Sequence, residues 1–352
     1  MKKYQLVNFL DSYDTILFDM DGVITSEQAY WDAAALTVYE MYYGKSYYGN
    51  DDFSAKYISD NLKEIRSKVF CSDSIIRLVK NKGVNSNWDL AYTVLGSALL
   101  IGENADFNDI YTAIDAFGDD AFTLYSAISE KLAEKFGKEK SHFERLGPFW
   151  QEITSCFQEW YLGDELFKQI YNRSLILPSK IGFISNEEPL VDKARLLTML
   201  SLMRDKGIRL GVGTGRPKAE SVPVLKQWGA LSFFAEDSVI TYNDVTDAEK
   251  ELRKKGIDTN LPKPHPYMFL KGCLGNNVSD EDIINGNFDP APLKRTLVIG
   301  DAGADLFAAR SAGCDFLAVL TGVHGADAKP FFEKEKSNYI LNNVLELLTE
   351  KE

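Results

Sequence analysis

Histidine and cysteine are scarce in this chain of 352 residues, with three and four copies respectively. His142 and His324 have no neighbours at metal-ligand spacing, and His265, set in a proline-rich loop, reads as structural. Cys71, Cys156, Cys273 and Cys314 lie far apart in sequence. That spacing suggests neither a thiolate metal site nor a disulfide framework, and it suits a reducing compartment. Long apolar runs are missing as well. Leu90 to Gly102 has the length of a buried helix and falls well short of the ~20 residues a bilayer requires. Met1, Lys2 and Lys3 lead into a mixed segment with no secretory pattern, so the cytoplasm is the expected location. Positive charge is in deficit, with 39 Lys and Arg against 52 Asp and Glu and a net charge of −13. Such a balance argues against nucleic acid or an anionic membrane as partner. Repeats, low-complexity tracts and long charge blocks are also absent.

What remains is a chain that is 45% hydrophobic and 26% charged, enough for one large or two ordinary cores. Its most informative stretch runs from Ile16 to Ser26. Thr15 to Phe18 reads as a short buried strand, followed by Asp19, Asp21 and Gly22. Ligands collect beyond the carboxyl ends of strands in open parallel sheets. Side chains two apart in extended chain share a face, so both carboxylates are available to one site. One can attack while the other shuttles a proton. Alone, the Asp-Gly pair would also serve as an ordinary turn.

Three further blocks weigh against the turn. Gly211 to Pro217 contains Thr214, Gly215 and Arg216 and follows a second apolar strand, Ile208 to Val212. Pro262 to Pro266 sets Lys263 between two prolines. Thr296 to Asp305 repeats the opening theme, an apolar strand ending in Asp301 with Asp305 four residues on. With these four blocks in this order, the chain resembles the haloacid dehalogenase superfamily of aspartate-nucleophile phosphotransferases. The resemblance covers the four motifs and, more loosely, residues 1–26 and about 187–352. It implies Asp19 as nucleophile, Asp21 as acid/base, Thr214 as the phosphate-binding hydroxyl, Lys263 as the basic residue and Asp301 as a metal ligand. Asp305 matches the second acid of the last motif.

The chemistry is consistent with elementary electrostatics. A phosphate ester is an anion, and a carboxylate nucleophile would repel it unless cations neutralise the site. Mg²⁺ and Lys263 would do so, with Asp19 and Asp301 offering oxygens to a hard, octahedral ion. The family pattern adds the backbone carbonyl of Asp21. Attack by Asp19 would give an aspartyl-phosphate that water then hydrolyses, Asp21 handling the proton in both steps. An aspartate at position 21 points away from phosphonate-cleaving relatives, and the residues after the nucleophile do not suit halide displacement.

Each smaller feature has a plain reading beside the functional one. Thr214 and Gly215 are expected to meet phosphate at a helix start near Pro217, though the same residues could simply form a tight connection. Arg216 has two open readings, contact with phosphate or substrate and pairing with a surface acid. Lys263 is held between prolines that restrict its backbone and suits a compact charge on the transferring group. Asp305 is expected to support Lys263 or the metal shell, or else to open the helix Leu306 to Ala312.

The expected fold is α/β, a Rossmann-like parallel-sheet core split by an inserted, mainly helical cap domain. Residues 1–26 and 187–352 form the core and 27–186 the cap. Helical patterns cover Tyr30 to Tyr43, Asp60 to Lys80, Trp88 to Ile101, Asn108 to Phe136 and His142 to Tyr171, the last two with breaks. The tyrosines from Tyr39 to Tyr48 fit packing within the cap, the alternative being an aromatic platform for a ring-bearing substrate. Gly275 to Pro290 reads as a polar surface loop. The expected activity is Mg²⁺-dependent phosphomonoester hydrolysis of a small phosphorylated metabolite. A sugar phosphomutase and a low-turnover binding or regulatory protein are the alternatives. Substrate identity and oligomeric state are not encoded legibly.

Overall fold

A computed structural model describes residues 4–84, 86–102 and 105–350, so the first three residues, on which the reading of the chain's start rests, lie outside it. The described chain divides into two compact units, residues 1–26 with 187–352 and residues 27–186.

The first unit is built on strands β1 (Tyr4–Leu6), β2 (Thr15–Phe18), β3 (Arg209–Gly213), β4 (Val239–Ile240), β5 (Thr296–Gly300), β6 (Asp315–Val319), β7 (Tyr339–Leu341) and β8 (Leu348–Glu350). Six of them form one sheet in the order β4-β3-β2-β5-β6-β7, every neighbour pair parallel. The remaining two, β1 and β8, pair antiparallel. A strand in mid-sheet with helices above and below must be apolar on both faces, and all four residues of β2 are buried. One face shows how the core is laid down: Leu17, Val298 and Phe316 pack with Phe269 from the helix Tyr267–Leu274 and Leu306 from the helix Gly303–Ala312. Phe18, one residue on from Leu17, meets Phe234 edge to face.

Chain order reverses at β2, whose neighbours are β3 on one side and β5 on the other. Crevices at such switch points, beyond the strands' carboxyl ends, are where open α/β sheets bind ligands. Phe18 sits in register with Val212 and Ile299, which brings the residues following all three strands to the same level.

The second unit is helical. Its centre is the helix Gln28–Tyr43, packed against Asn87–Ile101 and Pro148–Tyr171. Ala33 to Val38 are all buried, as expected of a helix surrounded by others rather than lying on a surface. The span Asp60 to Lys80, expected as one helical pattern, is two helices, Leu62–Val69 and Ser74–Asn81, because Cys71, Ser72 and Asp73 take positive φ between them. Pro148–Tyr171 is kinked at Gly163. Tyr30 and Tyr42 are buried, Tyr30 stacks on Tyr161, and Tyr39 packs against Tyr43 and Phe53. The tyrosine-rich segment thus packs within its own unit.

The polar stretch from Gly275 to Pro290 differs from the expected loop. It holds a short helix, Asp280–Asn285, whose first turn carries three acids and whose Ser279 side chain accepts from the Asp282 amide. Acids at a helix N-terminus and a serine cap stabilise this turn, and these signals were present in the sequence.

Candidate active site

Every candidate site residue belongs to the first unit. Asp19 follows β2, and its amide donates to the Ile299 carbonyl of β5 at 2.9 Å. Lys263 reaches it from the proline loop: Nζ lies 2.7 Å from Asp19 Oδ1 and 2.7 Å from Asp305 Oδ1. The ammonium also sits 5.1 Å above the Phe269 ring. Asp305, in the first turn of Gly303–Ala312, is buried, so the acid that could simply open a helix is also a partner of the lysine.

Asp301 completes a cluster with Asp19 and Asp305 in which one carboxylate oxygen from each lies within 4.8 Å of the others. Its carboxylate occupies space that two glycines leave open. A Cβ at Gly22, where φ is +76°, or at Gly322 would collide with Asp301 Oδ2. The turn carrying Gly22 is tied to the loop carrying Gly322, since Thr321 Oγ1 donates to the Gly22 carbonyl.

Electrostatics favour a cation here. Asp19 is raised to about 7, chiefly by burial, with Lys263 opposing the rise and Asp305 and Asp21 adding repulsion. Burial works against the charge on Lys263, yet Asp19 and Asp305 hold its pKa above the ordinary value. Three carboxyl groups gather around one ammonium here. The donors are all oxygen, which suits a hard divalent ion such as Mg²⁺ over a soft one. The residues present therefore fit the ion that the resemblance implies.

Asp21 turns elsewhere. Arg216 Nε lies 3.0 Å from both of its oxygens, Nη2 lies 2.5 Å from Oδ1, and Thr25 Oγ1 donates to Oδ1 at 3.0 Å. Arg216 is itself buried, and its Nη1 lies 3.0 and 2.9 Å from the two oxygens of Glu187. Of the two readings of Arg216, pairing with an acid is seen, but the pair is buried and involves two acids in place of one on the surface. Glu187 was not singled out beforehand. A glutamate between Asn186 and Glu188 carries no local signal for a partner 29 residues away.

Thr214 is fully buried, its amide donating to the Ile240 carbonyl and its Oγ1 accepting from the Arg216 amide at 3.1 Å. Gly215 follows with open space where a Cβ would stand, and the helix Lys218–Trp228 begins after Pro217. His265 accepts from the Tyr267 amide at 3.2 Å, and burial lowers its pKa, consistent with a structural role. All four cysteines are free. Among the described residues, no helix is long and apolar enough to cross a membrane.

A parallel α/β sheet with an acid and lysine centre at its switch point defines a class of enzymes built around a strand-end aspartate. The chain belongs to the haloacid dehalogenase-like hydrolases, whose family model matches residues 13–313. A crystal structure solved as a Northeast Structural Genomics Consortium target is similar at 27% identity and TM-score 0.80, covering 95% of this chain and 97% of that one. More distant likenesses include a predicted phosphoglycolate phosphatase from Haemophilus somnus, at 16% identity and TM-score 0.42 over 96% of both chains. A candidate beta-phosphoglucomutase from Thermotoga maritima matches at 14% identity and TM-score 0.44, over 95% of this chain and 96% of that one. Those two likenesses carry no argument about activity. No curated protein matches the chain.

Proposed function

We propose that this hydrolase is a Mg²⁺-dependent phosphomonoesterase that acts on a small phosphorylated metabolite through an aspartyl-phosphate at Asp19. The observation that carries the reading is Lys263 held between Asp19 and Asp305, with Asp301 adjoining. Asp19 and Asp301 carboxylates and the Asp21 backbone carbonyl would hold the ion. When bound, Mg²⁺ supplies charge neutralisation for the incoming phosphate.

Asp19 attacks phosphorus, forming a carboxylate O–P bond as the ester P–O bond breaks. Asp21 gives its proton to the departing oxygen. In the second step water attacks the phosphoenzyme, the Asp19 O–P bond breaks, and Asp21 takes the water's proton back. Lys263 and the Thr214 hydroxyl, with the Gly215 amide, steady the phosphoryl oxygens, and Asp305 keeps Lys263 charged and aimed. The helical unit acts as a cap that excludes water and selects the substrate. The enzyme works in the cytoplasm on a metabolite, without nucleic acid or membrane.

The test is phosphate release across a panel of phosphorylated metabolites with and without Mg²⁺. Free phosphate appearing in step with dephosphorylated product supports hydrolysis. Isomerised sugar phosphate forming much faster than free phosphate would replace it with the mutase reading. Tight binding of a metabolite with no turnover of any panel member would favour a binding or regulatory protein.

A further inference from the structure

The buried arginine beside Asp21 has a second acid, Glu187, which the proposed chemistry does not use. Side chains of Arg216 and Glu187 are only 2% and 3% exposed, while that of Asp21 is 28% exposed. The three groups form a line: Glu187 grips Nη1 with both oxygens, and the Nε and Nη2 edge of the same guanidinium grips Asp21. A guanidinium is planar, so fixing one end fixes the direction in which the other edge presents its donors. The backbones of Glu187 and Arg216 are both tied down. Trp228 Nε1 donates to the Glu187 carbonyl at 2.9 Å, while the Tyr242 amide donates to the Arg216 carbonyl at 3.0 Å.

Glu187 is also where the chain re-enters the α/β unit, and Asp21 lies shortly before it leaves. The two chain segments touch: Thr25 and Pro189 form an antiparallel bridge, and the Leu190 amide donates to the Ile24 carbonyl at 2.9 Å. Arg216 therefore ties an acid on the outgoing segment to one on the returning segment.

We propose that Glu187 is a positioning residue for the acid/base step: it sets the plane of Arg216, which sets where the Asp21 carboxylate stands. This rests on the reading of Asp21 as acid and base. Without Glu187 the cation has Asp21 as its main acidic partner, and its donor edge is no longer aimed.

The test compares two esters. An alkyl phosphate such as glycerol phosphate leaves as an alkoxide and needs a proton from Asp21, whereas p-nitrophenyl phosphate leaves as a stable phenolate and does not. Glu187→Gln, which keeps the shape and removes the charge, is expected to lower kcat on the alkyl ester by about 10- to 100-fold. With p-nitrophenyl phosphate it should give a stoichiometric burst of phenol followed by a slow steady rate, because the phosphoenzyme forms normally but its hydrolysis still needs the base. KM for the alkyl ester should change little, KM for p-nitrophenyl phosphate should fall with kcat as the phosphoenzyme accumulates, and the thermal shift induced by Mg²⁺ should match that of the wild type. Glu187→Asp should recover part of the lost rate.

Asp21→Asn is run alongside. If it too discriminates between the esters and Glu187→Gln does not, the positioning role of Glu187 is overturned while the reading of Asp21 stands. If Asp21→Asn fails to discriminate, the acid/base reading falls and this proposal falls with it. Equal loss on both esters without a burst, in a Glu187→Gln protein that still responds to Mg²⁺, would overturn positioning in favour of general damage. A wild type that releases phosphate from neither ester nor any member of the metabolite panel would remove the phosphomonoesterase reading from which the proposal starts.

Discussion

Two lysines in this molecule each stand between two carboxylates, one in either unit, and their surroundings differ in every respect that matters for chemistry. Lys180, in the helical unit, lies 2.8 Å from Glu40 and 2.7 Å from Glu159, with side chains 0%, 4% and 0% exposed. Trp160 Nε1 donates to Glu40 and the Ile176 amide to Glu159, so the acids are also served by neutral donors. Burial opposes the charge on Lys180, but Cys156, Glu40 and Glu159 raise its pKa above the ordinary value. Lys263 is just as close to its acids, yet it and Asp19 keep 13% and 11% of their side chains in solvent, and Asp301 adds a third carboxylate. The helical cluster is sealed, with two carboxylates around its ammonium. The strand-end cluster keeps partial solvent access and gathers three. A lysine between two acids is thus no sign of function by itself; solvent access and the third carboxylate separate the two.

The largest expected effect is on the open cluster. Removing divalent cations with excess EDTA should abolish phosphate release and added Mg²⁺ should restore it; full activity in chelator would erase the distinction drawn from the third carboxylate. Asp19→Asn should lower turnover at least ~10²-fold, because groups that act as a unit fail together. Its folded stability, measured by urea denaturation, should stay within about 1 kcal/mol of wild type, since Lys263 keeps Asp305 as partner. The sealed cluster should respond in the opposite way. Lys180→Ala leaves two buried carboxylates facing each other, and a loss of about 3–5 kcal/mol is expected by the same denaturation measurement. A loss below 1 kcal/mol would show that the helical cluster is not the structural one. The smallest effect concerns the glycine beside Asp301, the proposed metal ligand. Gly322→Ala crowds the Asp301 carboxylate and should weaken Mg²⁺ binding about 10-fold in calorimetry without unfolding the protein, as changes around ligands commonly do.

The contrast between the clusters also marks what the sequence could and could not disclose. Strand β2 was legible residue for residue, because a buried parallel strand is a run of apolar residues with an abrupt polar end. Strand β5 was legible for the same reason, and β3 differed by one residue at each end. Strand β4 has only two residues, too few to show any period, and was not anticipated. Asp19, Lys263, Asp301 and Asp305 stood out because each belongs to a short motif, and the fold brings them within reach of one another. What the motifs did not disclose is pairing: that Arg216 faces Asp21, that Glu187 stands behind it, and that Lys180 meets Glu40 and Glu159. These contacts join residues distant in the chain, and nothing in the local sequence of either partner names the other. Their identity is decided by tertiary packing, which a periodicity argument does not contain.

The central position of β2 has a consequence for how the chain is made. Thr15 pairs with Arg209 and Thr296, so the strand that organises the sheet leaves the ribosome long before either neighbour. At common elongation speeds, the helical segment between them takes on the order of ten to thirty seconds to synthesise. During that interval Ile16, Leu17 and Phe18 have no sheet to join, and such an apolar strand is open to pairing with another nascent chain. The helical unit, being continuous in sequence, can complete its own core first. The order of synthesis then leaves the catalytic strand waiting on a finished neighbour, and the sheet closes only when its last strands arrive.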